Sequence, residues 1–436
     1  MKFKHLFLTV SVMALFTSCS NDELVSETTN HGDAIAFSVT TNNATRAADY
    51  WCNNNKPAFF EVSAWYGTKT VDGGTTQKVT YFDGEFYELK EGKYTQKDGN
   101  YRYWPDLSAD KPLNVYAYKV YGETKTVGET TTYTINETPF ADFNWNDGNP
   151  MIEITPKQEA AKQHDLLYAY TQVKTKPAYG ATADINFRHA LSQIVFYGKC
   201  SNSKIYVEIE EIALYNAAKS GTFTLPTGDN VTDKNFESHN QSGSFVTTGE
   251  DQHKGFGTWT LNYDDSKAYR AYTASCPLAL TSGASSDTEQ GWQNLTDNTT
   301  ESAFGQSLLV LPTNGETNKL AAYVPEAGKT LAQSGGGACI AIKCKIRNIA
   351  TTGATVAGND DIYLWGSASE AKDLVVPVDF NWEQGKKYIY RINFSKKGHG
   401  GYNPEDGKEV LVPIQLTVKV DDFAAVADSD ATVKDI

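Results

Sequence analysis

The stretch Asp33-Ala34-Ile35-Ala36-Phe37-Ser38-Val39-Thr40 alternates bulky apolar residues with small or polar ones. A period of two is the signature of a β-strand, with Ile35, Phe37 and Val39 on one face. Arg46 follows in Thr40-Thr41-Asn42-Asn43-Ala44-Thr45-Arg46-Ala47-Ala48, a polar, small-residue run open to a protease. It is the sole Lys or Arg between Lys4 and Lys56. The pattern reads as a strand followed by a lone basic residue, which is either the site of one detaching cut, between Arg46 and Ala47, or an incidental linker arginine.

Upstream lies an export signal. Lys2 and Lys4 give a positive start, and Leu6 to Phe16 is an apolar run of about eleven residues, short of the roughly 20 that span a bilayer. Thr17 and Ser18 then precede Cys19, the pattern of a lipoprotein signal whose cysteine is lipidated. Phe16 is the irregular residue, standing where an aliphatic side chain is usual; an ordinary signal-peptidase site is the alternative. Several acyl chains anchor stably where one does not. Ser20-Asn21-Asp22-Glu23 reads either as an acidic surface-export signal or as a solvated linker.

Composition sets bounds on the rest. A chain of 436 residues favours two or three domains, each able to bury a core. Its net charge of −14 argues against a nucleic-acid partner, which requires clustered Lys and Arg. Past Cys19 no apolar run is long enough to span a membrane, so the lipid is the expected anchor to the outer membrane. The other cysteines, Cys52, Cys200, Cys276, Cys339 and Cys344, are odd in number and read as buried free thiols. Cys339 and Cys344 are five apart and face opposite sides of a strand.

The body is all-β by pattern. With 25 Tyr, 20 Phe and 8 Trp it favours pleated surfaces, and short alternating runs recur between turn signals. Tyr81-Phe82 and Glu85-Phe86 flank Asp83-Gly84, which predicts a two-residue hairpin. Val115 to Tyr118, Ile205 to Ile209, Ile340 to Ile346, Tyr388 to Ile392 and Val410 to Val420 are further strands. Only Lys157 to Asp165 reads as helix. Many short strands at this spacing imply sandwiches or barrels.

Catalytic and metal-binding patterns are missing from the sequence. No two of the seven histidines have the i, i+4 spacing of a zinc-binding helix, and there is no Gly-x-Ser-x-Gly elbow or phosphate-cradling glycine loop. No enzyme activity, cofactor or metal is expected.

Five segments carry a resemblance. Tyr101-Arg102-Tyr103-Trp104-Pro105 with Val115-Tyr116-Ala117-Tyr118, Asp165-Leu166-Leu167-Tyr168-Ala169, Asn186-Phe187-Arg188-His189-Ala190-Leu191-Ser192 and Trp382-Glu383-Gln384-Gly385-Lys386-Lys387-Tyr388-Ile389-Tyr390 resemble, in order, signatures of the fimbrillin family, the subunits of type V pili. Read physically, these are packing motifs: Trp104-Pro105 ends a strand, and His189 is a hydrogen-bonded core residue.

The resemblance implies two tandem transthyretin-like β-sandwich domains, 47–180 and 181–436, behind a signal peptide, 1–18, and a propeptide, 19–46. It implies that an Arg-specific protease removes the N-terminal strand, and that other pilus subunits fill the groove by β-strand addition. A host or bacterial surface receptor is a further expected partner. Val410 to Val420 reads either as a donor strand or as the last strand of the second domain. Residues 424–436 are acidic and sparse in apolar residues, which points to a tip or accessory subunit rather than a stalk pilin. The alternative reading is a surface glycan-binding lipoprotein, with Trp292, in a polar loop, as the exposed stacking residue.

Overall fold

A computed structural model describes residues 34–41, 59–70, 74, 76–97, 99, 101–118, 123–127, 130–134, 140–144, 150–163, 165–226, 257–280, 292–296, 307–313, 319–351, 357–422 and 433–435. These residues are all-β. In chain order the first strands are β1 (Ala36–Thr41), β2 (Phe59–Thr70), β3 (Thr76–Lys90), β4 (Lys93–Gln96), β5 (Leu113–Tyr118), β6 (Glu123–Val127), β7 (Thr130–Thr134), β8 (Phe140–Asn144) and β9 (Met151–Ile154). They continue with β10 (Leu167–Val173), β11 (Ala183–His189), β12 (Ser192–Cys200), β13 (Ile205–Tyr215), β14 (Ser220–Thr224), β15 (Thr258–Asn262), β16 (Arg270–Leu280), β17 (Gln293–Asn294) and β18 (Leu308–Val310). The last are β19 (Cys339–Asn348), β20 (Ile362–Trp365), β21 (Lys372–Pro377), β22 (Lys386–Phe394), β23 (Ile414–Asp422) and β24 (Val433–Asp435).

The first body is a closed barrel in the order β1-β11-β10-β5-β2-β3-β4, with β1 closing the ring between β11 and β4. Closure removes the free edges that an open sheet would expose. Its core is aromatic: Phe37, Phe60, Phe82, Tyr87, Tyr94 and Phe187 pack inside. The second body packs two sheets face to face. One is β17-β12-β22-β23-β24 with β18 beside β12, and the other is β16-β13-β19-β20 with β21 beside β19. Alternating residues of both sheets, among them Phe196, Ile212, Ile342, Tyr390 and Leu416, share one core. A small sheet, β15-β14-β9-β8, lies at the junction, where Phe223 and Trp259 pack with Tyr116, Tyr168 and Tyr170 of the barrel.

Three sequence readings change. Asp83-Gly84 is not a hairpin, because β3 runs straight through it. Val62 pairs with Glu85 and Ala64 with Phe82, so Asp83 and Gly84 together oppose Ser63 in a β-bulge. The Ser63 hydroxyl holds it, donating to Asp83 Oδ1 at 2.7 Å and accepting from Gly84 N at 2.9 Å. Gly84 has φ +64°, and bulges and tight turns both use glycine there, so the dipeptide alone cannot tell them apart. The true two-residue turn is Glu91-Gly92, both at positive φ, between the paired Lys90 and Lys93.

The expected helix at 157–165 reduces to one 3₁₀ turn, Ala160–Lys162. The chain leaves the barrel at Ala190-Leu191 rather than at Gly180. Gly180, at φ +76°, belongs to the loop between β10 and β11, and β11 is itself a barrel stave.

Cys200, Cys339 and Cys344 are buried free thiols; Cys339 and Cys344 enter different core clusters on opposite faces of β19. Cys52 and the side chain of Cys276 lie outside the described residues.

Candidate functional site

The site is the slot that β1 fills. Its three alternating side chains are sealed: Ile35 is 1 % exposed, Phe37 0 % and Val39 2 %. β1 runs parallel to β11 from Phe37↔Ala183 to Thr41↔Phe187, and antiparallel to β4 at Ala36↔Thr95 and Phe37↔Tyr94. Just upstream, Ile35 N donates to Arg102 O at 2.7 Å, and Ala34 bridges to Tyr103. Phe37 meets Tyr87 with ring centroids 4.9 Å apart. Phe60 lies against Tyr94 at 4.7 Å and Phe187 at 5.2 Å, completing an aromatic floor. At the rim, the Ser38 hydroxyl donates to Asp184.

Burying each of the three side chains contributes roughly 1.5–3 kcal/mol, about 5–9 kcal/mol together. Whole-domain stability is typically only about 5–15 kcal/mol. Withdrawing β1 would therefore open the barrel, expose Phe60, Tyr87, Tyr94 and Phe187, and leave the edges of β11 and β4 unpaired. Such a trench is a template for an added strand.

Connectivity sets β1 apart from the other staves. Residues 42–58 separate it from β2, whereas β11 runs into β12 through only Ala190 and Leu191. Arg46 and Ala47 belong to that connection; both, and Cys19 upstream of β1, lie outside the described residues.

The motif residues build the scaffold around this slot. Arg102 pairs with Glu85 at 2.7 Å beside the start of β1, and Trp104 is buried in the barrel core. Asp165 Oδ2 lies 2.5 Å from His189 Nδ1, joining two of the motifs in a buried pair. Trp382 Nε1 donates to the Tyr390 hydroxyl at 3.0 Å, and Glu383 N donates to the Tyr388 hydroxyl at 2.8 Å. This last motif also reaches the barrel: Gln384 Nε2 donates to the Tyr168 hydroxyl at 2.6 Å, and Gly385 N to Leu191 O at 2.9 Å. Burial pushes the Tyr168 hydroxyl's pKa up. The motifs are separated by long stretches of chain, so their convergence was not readable from the sequence.

Trp292 is half-buried. Lys199 Nζ and Arg391 Cζ each lie 5.7 Å from its ring centroid, and the neighbouring Asn294 Nδ2 donates to the Tyr197 hydroxyl at 3.2 Å. The ring is engaged by the protein's own cations. Among the described residues no group of three or more His, Cys, Asp or Glu could hold a metal ion, and no helix is long and apolar enough to cross a membrane.

A family model described as fimbrillin-like matches residues 25–274, from ahead of β1 into the first half of β16. The chain belongs to the fimbrillin-like family. A fimbrial protein from Bacteroides vulgatus is similar in structure at 13 % identity and a TM-score of 0.46, covering 89 % of this chain and 99 % of that one. A candidate cell adhesion protein from Bacteroides ovatus has 12 % identity and a TM-score of 0.39, covering 91 % and 99 %. Another from Bacteroides uniformis has 14 % identity and a TM-score of 0.34, covering 91 % and 100 %. No curated protein matches the chain. The fimbrillin match takes in β1, the slot and four of the five motif segments, leaving Trp382 to Tyr390 beyond it.

Proposed function

We propose that this fimbrillin-like chain is a structural and adhesive subunit of a type V pilus, without enzymatic activity, that assembles by strand exchange. Its route runs through lipidation at Cys19, display on the outer membrane and cleavage between Arg46 and Ala47. The observation that carries this reading is the burial of Ile35, Phe37 and Val39 in a barrel stave attached to β2 only through residues 42–58. A strand from another subunit then takes the slot beside β11 and β4. Residues 424–436 are acidic and poor in apolar side chains, a pattern unlike Ile35, Phe37 and Val39, which supports a tip or accessory position.

Arg46→Ala tests the cleavage step. The variant is expected to reach the surface, keep β1 and stay out of pili. Normal incorporation of the uncleaved variant would overturn the proposal. The glycan-binding alternative rests on Trp292, and the cations over that ring leave it a poor sugar platform.

A further inference from the structure

The inward face of β1 sets what the slot holds, but it does not single out a partner. Ile35, Phe37 and Val39 ask only for bulky apolar residues at alternate positions. Other strands of this chain meet that demand: Ile205, Val207 and Ile209 of β13 all face a core, and so do Ile414, Leu416 and Val418 of β23. Such strands differ at the residues in between. The residue between the second and third apolar positions is Ser38 in β1, Glu208 in β13 and Thr417 in β23. Discrimination among strands that the core treats alike comes from what the rim sets opposite that residue.

On β11 the group opposite is Asp184. Ala183, Ile185 and Phe187 belong to the barrel core, so Asp184 points outward, and it is exposed. It stands level with Ser38 in the parallel ladder, and the Ser38 hydroxyl donates to its Oδ1. The β4 pairs lie one and two residues back, at Phe37↔Tyr94 and Ala36↔Thr95. Among the described residues, β11 is thus the strand that pairs with β1 at the level of Ser38.

We propose that Asp184 is a specificity-determining residue of the slot, admitting strands that carry a hydroxyl or a cation at the position of Ser38 and disfavouring those that carry an acid there. The inference rests on the strand-exchange reading above and names the partner. It is another subunit's strand, parallel to β11, with three alternating apolar residues and Ser, Thr, Lys or Arg between the second and third. A hydroxyl or an ammonium donates to the carboxylate. A second carboxylate is acceptor-only when ionised, and like charges directly opposite one another repel. Backbone pairing is open to every strand, so the repulsive element at the rim is what rejects a wrong one. By this rule the β13 pattern is disfavoured at Glu208 and the β23 pattern is accepted at Thr417. In an exposed setting the preference of Lys over Glu is about fivefold. Lys93, the first residue of β4, is half-buried on the other flank of the slot, so the test reads dependence on Asp184 rather than a bare charge preference.

Two arms test this. In the intact chain, Ser38→Lys and Ser38→Glu are each made alone and with Asp184→Asn, and amide hydrogen exchange over residues 36–41 reads how often β1 opens. Ser38→Glu is expected to open about fivefold more often than Ser38→Lys, and Asp184→Asn to remove most of that ratio. In the second arm a site-specific protease sequence replaces residues 42–46 of the full chain. After the cut, fluorescent peptides of residues 34–41, unaltered or carrying Ser38→Lys or Ser38→Glu, compete for the slot. The unaltered and Ser38→Lys peptides are expected to bind about fivefold more tightly than the Ser38→Glu peptide, and Asp184→Asn to flatten the order. A Lys-to-Glu ratio that Asp184→Asn leaves unchanged, in either arm, would overturn the role of Asp184 and leave strand exchange standing. No uptake of any peptide would overturn strand exchange itself, and the named partner with it.

Discussion

Asp165 and His189 stand 24 residues apart in the chain, yet His189 Nδ1 lies 2.5 Å from Asp165 Oδ2 in a buried pair at the exit from the barrel. Beside them Ala190 N donates to Leu166 O at 2.9 Å, and Trp259 Nε1 donates to Ala190 O at 3.0 Å. Two of the family motifs are therefore one structural unit, fixing the end of the stave against which β1 lies.

His189→Ala should destabilise the chain strongly. It removes the hydrogen-bond partner of buried Asp165 Oδ2, and leaving a buried polar group unsatisfied costs about 1–3 kcal/mol. Asp165→Asn should cost less, because the amide keeps a donor and an acceptor within reach of the imidazole. Urea unfolding of both single variants and the double variant checks this; additive losses would show that the two residues are not coupled.

Phe37→Ala in the uncleaved chain should cost about 3–5 kcal/mol, as expected for emptying a fully buried aromatic site. Ser38→Ala, at the rim, should cost no more than about 1 kcal/mol. Thermal unfolding of the two variants side by side reads the contrast, and equal effects would contradict the groove described above.

These two predictions rest on features of very different visibility. The alternation of Ile35, Phe37 and Val39 was plain, because a period of two survives in a short window. Its partner was hidden: β11 lies nearly 150 residues away by parallel pairing, and neither turn chemistry nor periodicity encodes so distant a ladder. Gly180 misled for a related reason, since a positive-φ glycine marks a turn without saying whether the turn closes a hairpin or a domain. Asp83-Gly84 failed likewise. The Asp165–His189 pair was half visible, for burial and hydrogen bonding of His189 followed from its strand, but its partner did not.

Gly84→Ala should cost about 1–2 kcal/mol, because φ +64° is the left-handed region. The new Cβ would also sit 3.1 Å from Glu61 Oε1. Chemical denaturation measures this, and an unchanged midpoint would show that the bulge relaxes without strain.

Glu61 should give the barrel an acid-favoring component. Burial raises its pKa above the ordinary carboxyl value of 4.5, against the opposing hydrogen bond from Tyr118, with nearby Asp83 adding to the rise. A carboxyl whose folded pKa is raised binds its proton more tightly when folded. Its contribution to stability is thus present at low pH and is lost as pH climbs from 4.5 through the folded pKa. Glu61→Gln should flatten stability against pH in that window and stabilise the chain at neutral pH. Urea midpoints between pH 4 and 8 check the sign, and an unaltered pH profile would contradict it.

The central claim is that β1 is a temporary stave which gives way to another subunit's strand. N-terminal sequencing of the protein recovered from assembled pili tests it most directly. The account predicts a chain that starts at Ala47, with residues 34–41 gone. Pilus-incorporated protein that uniformly begins at a lipidated Cys19 and retains β1 would contradict it.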